Sequence, residues 1–269
     1  MNGKPTENME FESTIGLQTF VMVLLAMVVG TLVAALVLPA WLPNLANSLL
    51  GSDPKAFWYL SRGSAFVALT LLWASMAFGL SMSNKLARLW PGAPAAFAMH
   101  EYISLLGLAF SIFHGLILLG DHYINFDLRQ VIVPFAASSY RPLLVGFGQL
   151  GFYVWLMVAL SFYIRPRLAP KAWRAIHYLS FLTYVMAFYH SITSGTDSAT
   201  SWATWYYWIT GGSLLFLLIH RILTAINAKL ARPAAARPVA PVRETIPTTV
   251  SMRQPESVLQ KQEQASLRN

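Results

Sequence analysis

Cysteine is absent from the 269 residues. Its absence excludes disulfides, thiolate metal sites, cysteine-ligated iron–sulfur clusters and covalent thioether attachment of a haem. Charge is scarce too: Asp, Glu, Lys and Arg make up 11% of the chain against 56% hydrophobic residues, the balance of a membrane protein rather than a soluble domain. Acid is the rarer sign, with 11 acidic against 19 basic side chains and a formal net charge of +8. The basic residues flank apolar runs instead of gathering on a soluble module, so bilayer topology accounts for them and no nucleic-acid partner is expected. No Ser/His/Asp constellation or paired carboxylates stand out, which leaves the chemistry to a cofactor and gives no catalytic residue of the chain's own.

What the chain does have is a series of apolar runs, each long enough to cross a hydrocarbon core of about 30 Å. Six are expected: Ile15–Leu38, Phe57–Met82, Ala95–Leu119, Leu143–Ile164, Ala172–Thr193 and Ala203–Leu223. The fold class is therefore an all-α membrane protein, a six-helix transmembrane bundle occupying residues 15–229. Residues 1–14 carry Glu7, Glu10 and Glu12, an acidic lead that fits a retained anchor better than a cleaved signal peptide. Pro39, Pro43 and Pro54 punctuate the first connection. Residues 230–269 are rich in Pro, Ala and polar residues with no sustained apolar period, and read as a disordered cytoplasmic tail.

Loop charge sets the orientation. The 83–94 loop carries Lys85 and Arg88, and the 165–174 loop carries Arg165, Arg167, Lys171 and Arg174, neither with any acid. The alternate loops are balanced or acidic: Asp121 and Asp127 face Arg129 and Arg141 in 120–142, and 195–202 has only Asp197. The positive-inside rule then places both termini in the cytoplasm of a multi-pass protein of the cytoplasmic membrane. Trp202, Trp205, Tyr206, Tyr207 and Trp208 fall at the outer end of the last span, where amphipathic rings anchor a helix.

Two of these spans carry histidines near both ends, His100 and His114 in the third, His177 and His190 in the fifth. An ionisable side chain at bilayer depth is costly enough to be a functional hypothesis by default. Separations of 14 and 13 residues correspond to roughly 21 Å and 20 Å along a helix, which matches the two ends of one span with the two ends of the other. His100 pairs with His177 at an inner level, and His114 with His190 at an outer one. Neutral imidazole is a good axial ligand for haem iron, so the pattern predicts two stacked haems. Single intramembrane histidines more often serve packing or interhelical hydrogen bonds, and it is the matched depth of four that favours ligation. Fourteen residues return to within about 40° of the same helix face, with Gly107 midway to admit a macrocycle or a close neighbouring helix. Thirteen residues miss by about 140°, which calls for a kink, a π-bulge or different rotamers in the fifth span.

The segments HEYISLLGLAFSIFH and KAWRAIHYLSFLTYVMAFYH, with VPFAASSYRP in an outer loop, resemble the ferric reductase-like transmembrane domain over roughly residues 55–225. That family includes cell-surface ferric reductases, NADPH oxidases and the haem-bearing membrane subunit of the bacterial methionine-sulfoxide reductase system. The resemblance implies b-type haem held between the third and fifth spans, with His100, His114, His177 and His190 as axial ligands to the iron. It implies an oxidoreductase component that relays electrons outward. Ferric reductases and NADPH oxidases continue into flavin- and nicotinamide-binding domains, whereas this chain continues into a polar tail, so its donor is expected to be a separate flavoprotein reductase, a small redox carrier or membrane quinol. The methionine-sulfoxide reductase subunit typically lacks the inner histidine that His100 supplies, and its substrate is not assigned here. Arg62 and Arg141 toward the outer haem, and Arg174 toward the inner one, are candidates for the propionates, with snorkelling to headgroups as the alternative.

Other features are weaker. Residues 146–151, GFGQLG, match a dinucleotide fingerprint only as letters, because they lie inside a span; close helix packing explains them better. His122 with Asp121 and Asp127 reads as a solvated loop, with an outer metal or substrate site as the alternative. His220, beside Arg221, reads as a helix-end residue, with assistance to quinol or donor chemistry as the alternative. Two rival functions remain: a quinol-oxidising cytochrome b, and a haem-free transporter or assembly scaffold whose histidines serve translocation or packing.

Overall fold

The computed structural model describes residues 14–37, 40, 56–84, 86, 92–121, 124–138 and 140–230, and these contain helices and turns but no strand. Helix α1 (Leu17–Leu32) runs into a π-turn at Val33–Val37. Helices α2 (Ala56–Ser83) and α3 (Ala93–Leu116) follow, α3 tightening into a 3₁₀ turn at Ile117–Gly120. A short α4 (Leu128–Ile132) precedes α5 (Pro142–Tyr163), α6 (Pro170–Ser194) and α7 (Ser201–Leu230). Proline stands in the first turn of α3, α5 and α6, where its fixed φ favours the helix and its missing N–H would have had no partner. Gly92, at φ +99°, supplies the backbone turn into α3 that a side chain would resist.

Five helices are long and apolar enough to cross a membrane: Leu17–Val37, Ala56–Ser83, Ala93–Gly120, Pro142–Tyr163 and Ser201–Leu230. Their ends fall within a few residues of the expected spans, except that α7 runs on to Leu230. The fifth expected span, α6, is long enough at 25 residues but carries Lys171, Arg174, His177, Ser180, Thr183 and His190, and its composition alone does not mark it as a crossing helix. Loop residues Lys85 and Arg88, the prolines of the first connection, the acidic lead 1–13 and the tail from 231 onward lie outside the described residues.

Helices α2 and α3 form one closely packed hairpin and α5 and α6 a second, with α1 laid against α3. The core between them is built from Leu69, Leu72, Met76, Leu108, Trp155 and Tyr184, closed by Phe20 of α1. Outward faces are apolar as well: Met22 and Val29 on α1 and Trp205, Trp208 and Phe216 on α7 are between 58% and 71% exposed, an arrangement suited to lipid rather than water. Polar bonds tie α2 to α7 at intervals, with Thr70 to Tyr206, Trp73 Nε1–H to Ser213 and Asn84 to the Leu217 carbonyl. The start of α1 is fixed by a buried carboxylate: Glu101 of α3 accepts the backbone N–H of Thr14 at 2.8 Å and of Ile15 at 3.1 Å.

Candidate functional site

Helices α3 and α6 are not among the closely packed pairs, and what spans the distance between them is histidine. The rings of His100 and His177 lie with centres 6.1 Å apart, and those of His114 and His190 with centres 6.3 Å apart. Both pairs are therefore brought together at the two expected levels. Helix α6 is one unbroken α-helix without a π-turn, and the two rings reach their partners across the 13-residue offset.

Hydrogen bonds fix how three of the rings are presented. His114 Nδ1 lies 2.8 Å from the Ser61 carbonyl, His100 Nδ1 2.8 Å from the Ser75 carbonyl, and His190 Nδ1 2.8 Å from the Leu144 carbonyl. A carbonyl only accepts, so Nδ1 carries the proton in each, and Nε2 of the neutral ring is left with a free lone pair. Among the described residues His177 has no such bond; its ring stacks on Trp173 at 5.2 Å and 19°, and the Arg165 guanidinium sits 5.0 Å over the indole.

The separations exclude a direct hydrogen bond between the paired rings. A direct N–H···N bond of about 2.9 Å would bring ring centres to about 5.1 Å. Two imidazoles on opposite sides of one metal, with bonds of about 2.0–2.1 Å as known for zinc, place their ring centres about 6.3 Å apart. The observed 6.1 and 6.3 Å, at interplanar angles of 72° and 69°, are too long for the direct bond; they lie in the range of edge-to-face ring packing and also leave the spacing that a metal between the rings requires. Among the described residues no group of three or more His, Asp or Glu gathers around a common point, and each level brings two imidazoles together.

The outer level opens into a cavity of about 450 Å³, lined by His114 and His190 together with Trp58, Phe126, Tyr140 and Trp155 among others. That volume lies within the usual range for small-molecule and cofactor sites, about 300–1,000 Å³. Its walls depend on glycine. A Cβ on Gly148 would come within 2.7 Å of the His190 ring, and one on Gly151 within 3.2 Å of Met186 Cβ on α6. One on Gly146 would collide with Phe135. The GFGQLG run is thus a packing surface, as the membrane context indicated. Gly107, midway between the levels on α3, faces the Trp155 ring at 2.7 Å, so an indole from α5 fills that notch.

The remaining candidates are distributed unevenly. Arg62 lines the cavity and is ion-paired with Asp197. Arg141 adopts a left-handed backbone at φ +40° and donates to the Thr193 carbonyl, pinning the end of α6. Arg174 is exposed and is held by no hydrogen bond or ion pair among the described residues. The inner cation seated on the histidine stack is Arg165, which sequence reasoning did not single out; its spacing to Trp173 crosses a loop and has no helical period to betray it. Asp127 caps α4 through a reciprocal box with Gln130, and Asp121 is buried and accepts the Ile124 N–H. Asp127 thus serves local structure, whereas the second oxygen of Asp121, Oδ1, is buried with no hydrogen-bond partner among the described residues, and His122 lies outside them. Of the aromatic cluster at the start of α7, Trp202, Trp205 and Trp208 face outward, while Tyr207 is buried and lines the cavity. His220 buries its Nδ1 without a hydrogen-bond partner near the far end of α7, and no bond joins it to the inner pair. No family model, curated protein or solved structure matches this chain.

Proposed function

We propose that the chain is a membrane-embedded b-type cytochrome, with His100 and His177 holding an inner haem and His114 and His190 an outer one. The observation that carries this reading is the pair of ring separations, 6.1 and 6.3 Å, together with Nδ1–H bonds that leave Nε2 free on three of the four rings. Two protein donors per level suit a metal whose other ligands come from a macrocycle. When bound, haem supplies one-electron chemistry. The protein's own part is to hold the axial imidazoles, fix their tautomer and surround them with apolar residues such as Leu69, Leu72 and Phe152 that keep the site dry. Arg62, already on the cavity wall, is the residue placed to meet a carboxylate there, by exchanging Asp197 for it.

In the same reading α6 is the sixth crossing helix, its polarity turned toward cofactor and neighbours, and both termini are cytoplasmic. The inner level then faces a separate reductase or quinol as donor, and the outer level an acceptor outside the cell. The resemblance to ferric reductase-like domains supports the same assignment.

The test is the reduced-minus-oxidised absorbance spectrum of the detergent-purified chain, with haem per chain quantified as the pyridine haemochrome. Two b-type haems are expected, falling to one in His114→Ala or His190→Ala. A protein without haem after expression with ample haem supply refutes the cytochrome and favours a transporter or scaffold. Reduction by quinol alone would identify quinol as the donor; dependence on a reductase would identify a protein.

A further inference from the structure

Ser61 and Ser75 of α2 meet the two histidines of α3 in the same way at both levels. The carbonyl of each serine takes the Nδ1–H of its histidine at 2.8 Å, and the hydroxyl of the same serine lies close to that nitrogen, at 3.0 Å for Ser61 and 3.1 Å for Ser75. Fourteen residues separate the serines along α2, and fourteen separate the histidines along α3, which runs the other way. One antiparallel register therefore seats both.

The hydroxyl hydrogens are engaged elsewhere, which leaves the serine oxygens as acceptors. Ser61 donates to the His114 carbonyl at 2.9 Å. Ser104 donates to the His100 carbonyl at 2.6 Å, so the 2.5 Å contact between Ser75 and Ser104 is made by the Ser75 hydroxyl donating. Each α3 histidine thus directs its N–H toward two oxygens of one residue, and each serine is buried.

We propose that Ser61 and Ser75 are positioning residues, each holding one axial imidazole as an Nδ1–H donor and raising its basicity toward the metal. The inference rests on the cytochrome reading. It adds that the two levels are unequal. The outer level is tied on both sides, by Ser61 and by the Leu144 carbonyl, whereas among the described residues the inner level is tied through His100 alone, its other ring being stacked on Trp173. An acceptor on the distal N–H strengthens the ligand and favours the more positive, ferric iron. Hydrogen bonding by itself therefore depresses the midpoint of the outer haem more than that of the inner one.

The experiment is a potentiometric titration of the full-length protein in detergent, with haem content measured first, for the wild type, Ser61→Ala, Ser75→Ala and the threonine variants at both positions. Ser61→Ala keeps the carbonyl acceptor and removes the hydroxyl, so it is expected to raise the midpoint of the component that disappears in His114→Ala while both haems are retained. Ser75→Ala is expected to do the same to the other component alone, and threonine to restore both. Alanine variants that leave both midpoints in place, or that move both together, overturn the serine assignment while the two-haem reading stands. A haem-free wild type overturns both. Should an alanine variant fail to accumulate, Ser61→Cys and Ser75→Cys nearly keep the volume, replace oxygen with a weak sulfur acceptor and are judged by the same criterion.

Discussion

Gly148 shows how little room the outer histidine pair has. The His190 ring rests against its bare Cα, with Cγ and Nδ1 both 2.7 Å from where a Cβ would stand. A methyl group cannot be accommodated by a flexible neighbour here, because the ring is held by its bond to the Leu144 carbonyl. Gly148→Ala should push the ring off that carbonyl and abolish haem at the outer level alone, halving haem per chain in a haemochrome assay. If Gly148→Ala retains both haems, the ring is not seated as described. Gly148 was visible in the sequence only as part of a misleading fingerprint. Its role depends on a contact with α6 more than forty residues away, and nothing in local spacing records that. The four histidines were legible for the opposite reason: they lie in pairs at matched depths of two apolar runs, where an ionisable group is costly and needs a cause.

At the scale of elements, α1 depends on a single side chain of α3. Glu101 receives two N–H groups at the entrance to α1, while Phe20 stacks on Tyr163 of α5 at 5.3 Å. Hydrogen bonds to a charged acceptor contribute about 1.5–3 kcal/mol each, and a buried carboxylate left without them would be costly. Glu101→Ala removes the acceptor and should loosen the start of α1, seen as faster amide exchange and protease cleavage near Thr14 with the cores of α3 and α5 unaffected. Unchanged protection at Thr14 and Ile15 would show that α1 is held by apolar packing alone. The helices themselves were readable to within a few residues, because long apolar runs carry the signal. The partition of polar atoms among them was not: Glu101 lies beside His100, and nothing in local spacing marks it as the acceptor for the start of another helix. The phase mismatch in α6 was likewise a real feature whose resolution needed side-chain directions.

For the whole molecule, the sidedness of the two histidine levels follows from α6 as a crossing helix. The natural lack of cysteine makes the wild type a clean blank for labelling. Single cysteines at Arg167 and Ser198 flank α6. With six crossings they lie on opposite sides, so an impermeant maleimide should label Ser198→Cys in intact cells and Arg167→Cys only after permeabilisation. Equal labelling of both in intact cells would remove the sixth crossing and with it the assignment of an inner and an outer level.

The shared register of α2 and α3 also constrains how such a chain can change length. Inserting or deleting one residue between Ser61 and Ser75 would rotate one serine by about 100° and shift it by about 1.5 Å while the other stayed in place. No substitution could repair both contacts at once. Only a matching change between His100 and His114 would restore them, and that change would in turn have to be met by α6. Connections between the helices are free of this requirement. Among relatives of this chain, gaps should therefore fall in the loops, and the fourteen-residue intervals of α2 and α3 should be inherited as one unit.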